Sequence, residues 1–579
     1  MAKRLVSLAI VLMLLVPAFA FAQSSGKTWQ ELWGEDKPAA GAYNEKCLGP
    51  MADTLTLKVV TSYGPSSEVN AGITPQNSMW NDIIYDQLNI KFDWMWVVTS
   101  DQWAQRLQLS ISAGEIPDIL NIEDKMFRDF AGTGTLRDLT DAYATYGLPE
   151  MHAMDAAFND ATIKQSTIDG KLLAIPRYED NHASVNVLWY RKDWADALGI
   201  AAPQTIEDVM AMAEAFGNQA DKPDVTGIAA QKDQSNEAYG LGGFYQCFGA
   251  YPNKWILDKD GNVVPGIIQP ECVTALKAAA ELYQKNAIPK DFSSYGWDQI
   301  TQRIINSTVG IAFGRWWAPD APLAANLQFD PAANWVLAPL PSHTPGTPAI
   351  STVPENMIYT YNVVYSGAPA NAEEGLVKLC NFYFVRLFAV SNSTWPQVPL
   401  ATTDEEYQAQ VQKSIDQLAL GLVWNWCPMQ VWNATENPDA SRIVNAAVKA
   451  RDISTLRNSN DKNEYDQTLL WLDKGVNDER YFDNWRMYAS RTMDDSGVLL
   501  TVKLRDEGYT INTVYYGAAP EAEQTYSSTL KDLSDEYFTK FIIGDVGEDS
   551  WQGFVDDWLS NGGQEWWDAV KEGYAAVHQ

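Results

Sequence analysis

Trp316 and Trp317 directly follow the apolar run Val309–Phe313, after Gly314 and Arg315. In open α/β sheets the ligand crevice lies beyond the carboxyl ends of the strands. A flat indole there can cover the C–H face of a sugar ring while arginine, amide and carboxylate groups bond its hydroxyl rim. Trp316, Trp317 and Arg315 are therefore candidate ligand contacts. The same reasoning marks Tyr63 and Gly64 after Leu55–Ser62, and Asn121, Glu123 and Asp124 at the end of Ile116–Ile122. It also marks Arg177, Tyr178, Glu179, Asp180 and Asn181 after Lys171–Pro176. Each polar residue has a competing role as a helix cap or a solvated loop residue. Most of the 23 tryptophans are required for packing, because large aromatics dominate protein cores.

Other chemistries lack their residues. His152, His182, His343 and His578 are far apart, and none has the spacing of a zinc-hydrolase helix. No G-x-S-x-G elbow and no phosphate-binding G-x-x-x-x-G-K-[ST] loop occurs, and the pairs Gly132/Gly134 and Gly240/Gly242 lack the third glycine of a dinucleotide loop. Ser528–Lys531 matches S-x-x-K without its companion motifs. Asp258, Asp260 and Gly261 could open a cation loop or form a hairpin turn; Gln269 stands where a calcium loop needs a bidentate Glu, which favours the turn. Cys47, Cys247, Cys272, Cys380 and Cys427 match no metal pattern, and a Cys247–Cys272 pairing is left open. No catalytic residue, metal or cofactor is expected.

The chain has 579 residues with 42 basic and 74 acidic side chains, a net charge of −32. A surface that negative repels phosphate backbones, and no basic run offsets it, so nucleic acid is excluded as a general partner. Lys3 and Arg4, the apolar run Leu5–Val16 and Ala20-Phe21-Ala22 have the order of a secretory signal, with cleavage expected after Ala22. No lipid-attachment cysteine lies at that junction and no later run is long enough to span a membrane, so a freely diffusing periplasmic protein is expected.

These residues need a scaffold. Residues 23–52 form a polar arm. The runs at 55–62, 91–98 and 116–122 read as strands, with a helix through Trp103, Leu107 and Ile111 that opens on the T-x-x-Q pattern at Thr99 and stops at Gly114. Further strands are expected at 171–176, 186–190, 309–313 and 357–364, and helices after Thr205-Ile-Glu-Asp208, through Leu276, Ala280 and Tyr283, and over 373–388. Alternating strands and helices predict an α/β sheet with parallel strands, and the chain reads as mainly helical after about residue 400.

The ordered segments Ala113–Ile119 (AGEIPDI), Asp169–Arg177 (DGKLLAIPR), Leu188–Trp194 (LWYRKDW), Gly310–Trp317 (GIAFGRWW) and Phe538–Gly544 (FTKFIIG) resemble the extracellular solute-binding proteins of ABC importers, family 1, in their long oligosaccharide-linked branch. The resemblance spans about residues 53–579. It implies a two-lobed, type II-like periplasmic-binding fold with mixed sheets flanked by helices and a cleft that closes by a hinge. It divides the chain into lobe 1 (53–180), lobe 2 (181–354), a return to lobe 1 (355–395) and a mainly helical part, mostly lobe 2 (396–579). It further implies Trp316 or Trp317 stacked on sugar, 177–186 at hinge and cleft, 121–124 facing the cleft, a carbohydrate ligand, permease subunits as partners and a monomer. The resemblance disfavours a secreted glycosidase, and a same-fold binder of peptide or another polar solute stays open. Many members carry a lipidated N-terminal cysteine, and an arm like 23–52 is unusual among them.

Overall fold

The computed structural model describes residues 45–63, 74–99, 102–157, 161–178, 180–219, 224–355, 357–387, 427–431, 434–457, 459–517 and 520–578. The signal segment, most of the 23–52 arm, Gly64 and Glu179 lie outside them. The described chain forms two compact units. One holds residues 45–117 and 427–428, the other 118–387 and everything described from Met429 on. The 53–180 segment thus divides between Pro117 and Asp118.

In the first unit, β1 (Leu55–Tyr63) and β2 (Ile90–Thr99) pair in parallel, with a register shift between Val59 and Val60. Helices Met79–Leu88 and Trp103–Ser112 lie in the same unit. Ser78 caps the first by accepting from the Trp80 N–H. The second begins after Gln102, which makes no side-chain cap. The Trp96 indole donates to Ser110 Oγ at 3.1 Å, which satisfies a buried N–H and fixes this helix against β2.

The second unit contains β3 (Ile119–Ile122), β4 (Ile175–Tyr178), β5 (Val187–Arg191), β6 (Thr226–Ile228), β7 (Val309–Gly314), β8 (Trp335–Pro339), β9 (Ser351–Pro354), β10 (Ile358–Val364) and β11 (Thr510–Thr513). β3 and β4 flank β10, both antiparallel to it. A second sheet has the order β8-β5-β7-β6, in which β5 is antiparallel to β8 and β7 while β7 and β6 are parallel. The sheets are mixed, as the resemblance implies; the parallel pairing read from the alternation of strands and helices holds for β1/β2, β6/β7 and β9/β11, and the other pairs named here are antiparallel. β10 follows β9 through only a few residues and runs back between β3 and β4. β5 enters its sheet from the short crossing after β4, too briefly for a helical crossover. The chain passes between the sheets through the 3-10 turn Asn181–Ser184 and returns through β9, which pairs in parallel with β11.

The four-stranded sheet is covered by helices Ile206–Gly217 and Pro270–Gln284, and Leu188, Val209, Met212, Phe216, Leu276 and Phe313 share its core. Thr205 and Asp208 form the expected capping box. The last part is helical over Glu436–Ala450, Ser459–Lys474, Gly497–Asp506, Glu521–Ile543, Trp551–Trp558 and Gln564–Val577. Asp258–Asn262 makes a hairpin turn between strands Trp255–Leu257 and Val263–Pro265. Asp258 Oδ1 accepts from the N–H groups of Asp260 and Asn262, and Gly261 takes φ +82°. Cys247 and Cys272 are free and buried, each donating its thiol to a backbone carbonyl, and burial pushes both thiols well up.

Gly310 shows how tightly the core is filled. A Cβ there would sit 2.3 Å from a ring carbon of Phe216 and 2.8 Å from one of Trp194. Gly310→Ala should destabilise the protein by about 1–3 kcal/mol through overpacking, read as a lowered Tm in calorimetry; an unchanged Tm would show that the two rings yield freely.

Candidate functional site

Two groups of residues lie on the two sheets that the crossing connects. The first sits on the β3-β10-β4 sheet. Antiparallel register places Asn121 opposite Asn362 and Arg177 beside Thr360. The Asn121 amide donates to Thr360 Oγ1 at 2.9 Å and to Asn362 Oδ1 at 2.8 Å, and Asn362 Oδ1 accepts from the Gln430 N–H at 2.9 Å. Arg177 donates to the Gln430 side chain and lies 4.6 Å from the ring centre of Tyr359, which is 64% exposed. Tyr178, the next residue, faces the opposite side of the strand and donates to Asp155 at 3.0 Å inside the core. It is fully buried among packing partners.

At the end of β3, Asp124 opens helix Asp124–Thr133 and accepts from the Tyr361 hydroxyl at 2.7 Å. Arg128, one turn on, reaches Asp124 at 3.3 Å and donates to the hydroxyl of Tyr515, just after β11. Burial works against the Arg128 charge, yet Tyr361, Tyr515 and Asp124 hold its pKa above the ordinary value. The same burial pushes the Tyr515 phenol up to about 12. Tyr361 stacks on Phe127 with centroids 4.1 Å apart. The Tyr515 backbone N–H donates to Glu355 at 2.9 Å, and His578 Nε2 meets the other oxygen of that carboxylate at 2.8 Å.

The second group surrounds the end of β7. Arg315 pairs with Glu237, which also receives Lys254 at 3.4 Å, Gln246 at 3.1 Å and Thr352 at 3.3 Å. Burial opposes the Glu237 charge, but Arg315 and Lys254 hold the carboxyl below its usual range. Trp316 is 8% exposed and packs with Val498, Val502 and Ala183. The Arg491 guanidinium lies 5.1 Å from its ring centre and shares Asp320 with Arg486. The Trp316 indole N–H is buried and has no hydrogen-bond partner among the described residues. Trp317 is half-buried beside Tyr239 and Trp297, each at 6.3 Å, and Trp297 is 42% exposed.

The crossing joins these groups. Asp180 caps Asn181–Ser184 by accepting from the His182 N–H at 3.1 Å, and pairs with Arg505 of helix Gly497–Asp506. Burial would raise the Asp180 carboxyl; His182 and Arg505 instead hold it well below the carboxylate range. Ala183 carries the crossing onto Trp316. The structure thus brings the crossing that Asp180 caps onto Trp316 through Ala183, with Arg315 and Trp317 adjoining in sequence, while Asn121 and Arg177 lie on the other sheet and Asp124 is bonded to its Tyr361. Tyr63 ends β1 in the other unit. Residues that sequence reasoning missed are Arg128, Tyr359, Tyr361, Tyr515, Glu237 and Arg491. The Tyr359-x-Tyr361 alternation at the start of a strand is a usable signal; nothing local marks Arg491. Among the described residues no group of three or more His, Cys, Asp and Glu side chains is placed to hold a metal ion.

Residues 70–384 match the bacterial extracellular solute-binding protein family, and the chain belongs to that family. Its curated relatives include the polygalacturonan/rhamnogalacturonan-binding protein YtcQ of Bacillus subtilis, 25% identical over 278 residues, which are 43% of this chain and 51% of YtcQ. Another is the fructooligosaccharide ABC transporter substrate-binding protein FusA of Streptococcus pneumoniae, 21% identical over 48% of this chain and 53% of FusA. The chain spans about half the length of the curated relatives it matches. Among solved structures, FusA in complex with kestose aligns over 90% of this chain and 99% of its own, with a TM-score of 0.59 at 15% identity. An HMO-binding, ABC-transporter-associated solute-binding protein from Bifidobacterium longum infantis aligns over 91% of this chain and 100% of its own, with a TM-score of 0.58 at 16% identity. The fold is the periplasmic-binding fold of solute-binding proteins.

The buried Asp180 pair gives a pH signature. A carboxyl whose folded pKa is depressed supplies stability that is complete above its unfolded value of about 3.9 and is lost as pH falls below it. The Tm of the wild type should therefore fall more between pH 5 and pH 3 than that of Asp180→Asn; equal slopes would remove Asp180 as a contributor. Arg505→Ala at neutral pH should cost about 3 kcal/mol in denaturant unfolding, as breaking a buried pair does.

Proposed function

We propose that this chain is the substrate-binding component of an ABC importer that captures a carbohydrate, specifically an oligosaccharide, and delivers it to membrane permease subunits. The observation that carries this reading is Trp316. It stands at the carboxyl end of a buried strand, it meets the crossing through Ala183, and its indole N–H is a buried donor left for a ligand acceptor. Polar groups around it and on the facing sheet, including Arg177, Asn121, Asn181, Arg315 and Asp124, suit the hydroxyl rim of a sugar. The crossing segments Asn181–Ser184 and β9 would serve as the hinge on which the sheets close over ligand, as expected for the periplasmic-binding fold. The names of YtcQ and FusA, both oligosaccharide or polysaccharide binders, support the ligand class. On this reading the protein is exported, with cleavage after Ala22, and acts as a monomer.

A glycosidase reading finds less support. A proton-donating carboxyl needs a raised pKa. Asp180 and Glu237, two carboxylates of the groups around Trp316, are held low by basic partners.

The test is calorimetry on the oligosaccharide that most raises the Tm in a screen of sugars and peptides. Trp316→Phe keeps a ring but removes the N–H and should weaken binding about tenfold. Trp316→Ala should weaken it about 30-fold, the roughly 2 kcal/mol of an aromatic anchor. Unchanged affinity in both variants, a Tm rise with peptides alone, or release of reducing ends at enzymatic rates would overturn the proposal.

A further inference from the structure

A second aromatic pocket lies in the same unit. Its volume is about 260 Å³, below the roughly 300–1,000 Å³ of sites for drug-sized ligands and suited to one sugar ring. One wall is aromatic. Trp255 stands edge-on to Trp566 with centroids 5.3 Å apart and tilted against Trp558 at 6.5 Å. The other wall is a polar stripe of helix Glu521–Ile543, where Ser527, Lys531 and Asp535 recur every four residues and so share one face. One feature is costly unless something fills the space. The Trp566 indole N–H is buried without a hydrogen-bond partner among the described residues. Asp535, also on this wall, is paired with Lys531 and stays partly exposed, so its carboxylate remains open to a further donor. Lys254, which also lines the pocket, reaches Glu237 at 3.4 Å, and Glu237 holds Arg315 next to Trp316.

We infer that this pocket is a second saccharide position that takes a single sugar ring, stacked on the tryptophan wall, with its hydroxyls on Ser527, Asp535 and the Trp566 N–H. The inference rests on the carbohydrate reading above. A hexose offers what the two walls require: a C–H face for indole and a rim that donates to a carboxylate while accepting from an indole N–H.

The experiment records indole N–H resonances of the full-length protein labelled with 15N-tryptophan, with Trp566 and Trp316 assigned by Trp566→Phe and Trp316→Phe. Glucose, galactose, mannose, fructose and galacturonate are titrated in turn, then kestose and trigalacturonate. At least one monosaccharide should shift the Trp566 resonance saturably, and should do so in Trp316→Ala as well. Ser527→Phe, which fills the pocket from its half-buried rim, should weaken that response at least tenfold while the Trp316 response to the oligosaccharides persists. A Trp566 resonance unmoved by every sugar while Trp316 responds overturns the second position alone. A Trp566 response unchanged by Ser527→Phe overturns it as well. Silence of both resonances overturns this inference together with the carbohydrate reading.

Discussion

A carboxylate taken out of water must be met by cations and donors, and Glu237 is where this chain meets that requirement most consequentially. Its partners come from four separate segments: Lys254, Arg315, Gln246 and Thr352. Two of them are the residues immediately before a tryptophan, Lys254 before Trp255 and Arg315 before Trp316. One buried charge therefore anchors the backbone at both tryptophans, and through Thr352 it also reaches β9, the strand on which the chain returns to the other sheet. Glu237 itself is ordinary in the sequence, an acid among 74.

The crossing obeys the same logic on a smaller scale. A short 3-10 turn leaves backbone donors open, and Asp180 closes one of them while pairing with Arg505. The charge that caps the turn is thereby tied to a helix more than three hundred residues later in the chain. Replacing such a pair by apolar residues is often neutral, whereas removing one partner alone is costly. Arg128 plays the corresponding part on the other sheet, where it joins Asp124, Tyr361 and Tyr515.

Much of the scaffold is legible in the residues themselves. Val309–Phe313 reads as a buried strand because it is short, apolar and ended by glycine, and that alone puts Trp316 just past a strand terminus. The capping box at Thr205 and the Asp258 turn are local chemistry and so are readable locally. Strand direction is not: the fully buried run Val187–Arg191 reads like a parallel strand yet is antiparallel to both neighbours. Side is not legible either: alternation along β4 says that Arg177 and Tyr178 face opposite ways, but not which faces the core. Partners distant in sequence are invisible, and these include Arg491 under Trp316, Arg505 on Asp180 and Tyr515 on Arg128.

The charge balance has a kinetic consequence. Arg128, Arg315, Arg491 and Arg505 are each committed to carboxylates or aromatic rings within the fold, and with every basic residue counted the chain still carries a net charge of −32. A ligand bearing carboxylates approaches the field of that charge uphill, and screening by salt speeds its association. A neutral sugar is indifferent to it. The ionic-strength dependence of the association rate thus distinguishes uronate from neutral ligands independently of how tightly either is held.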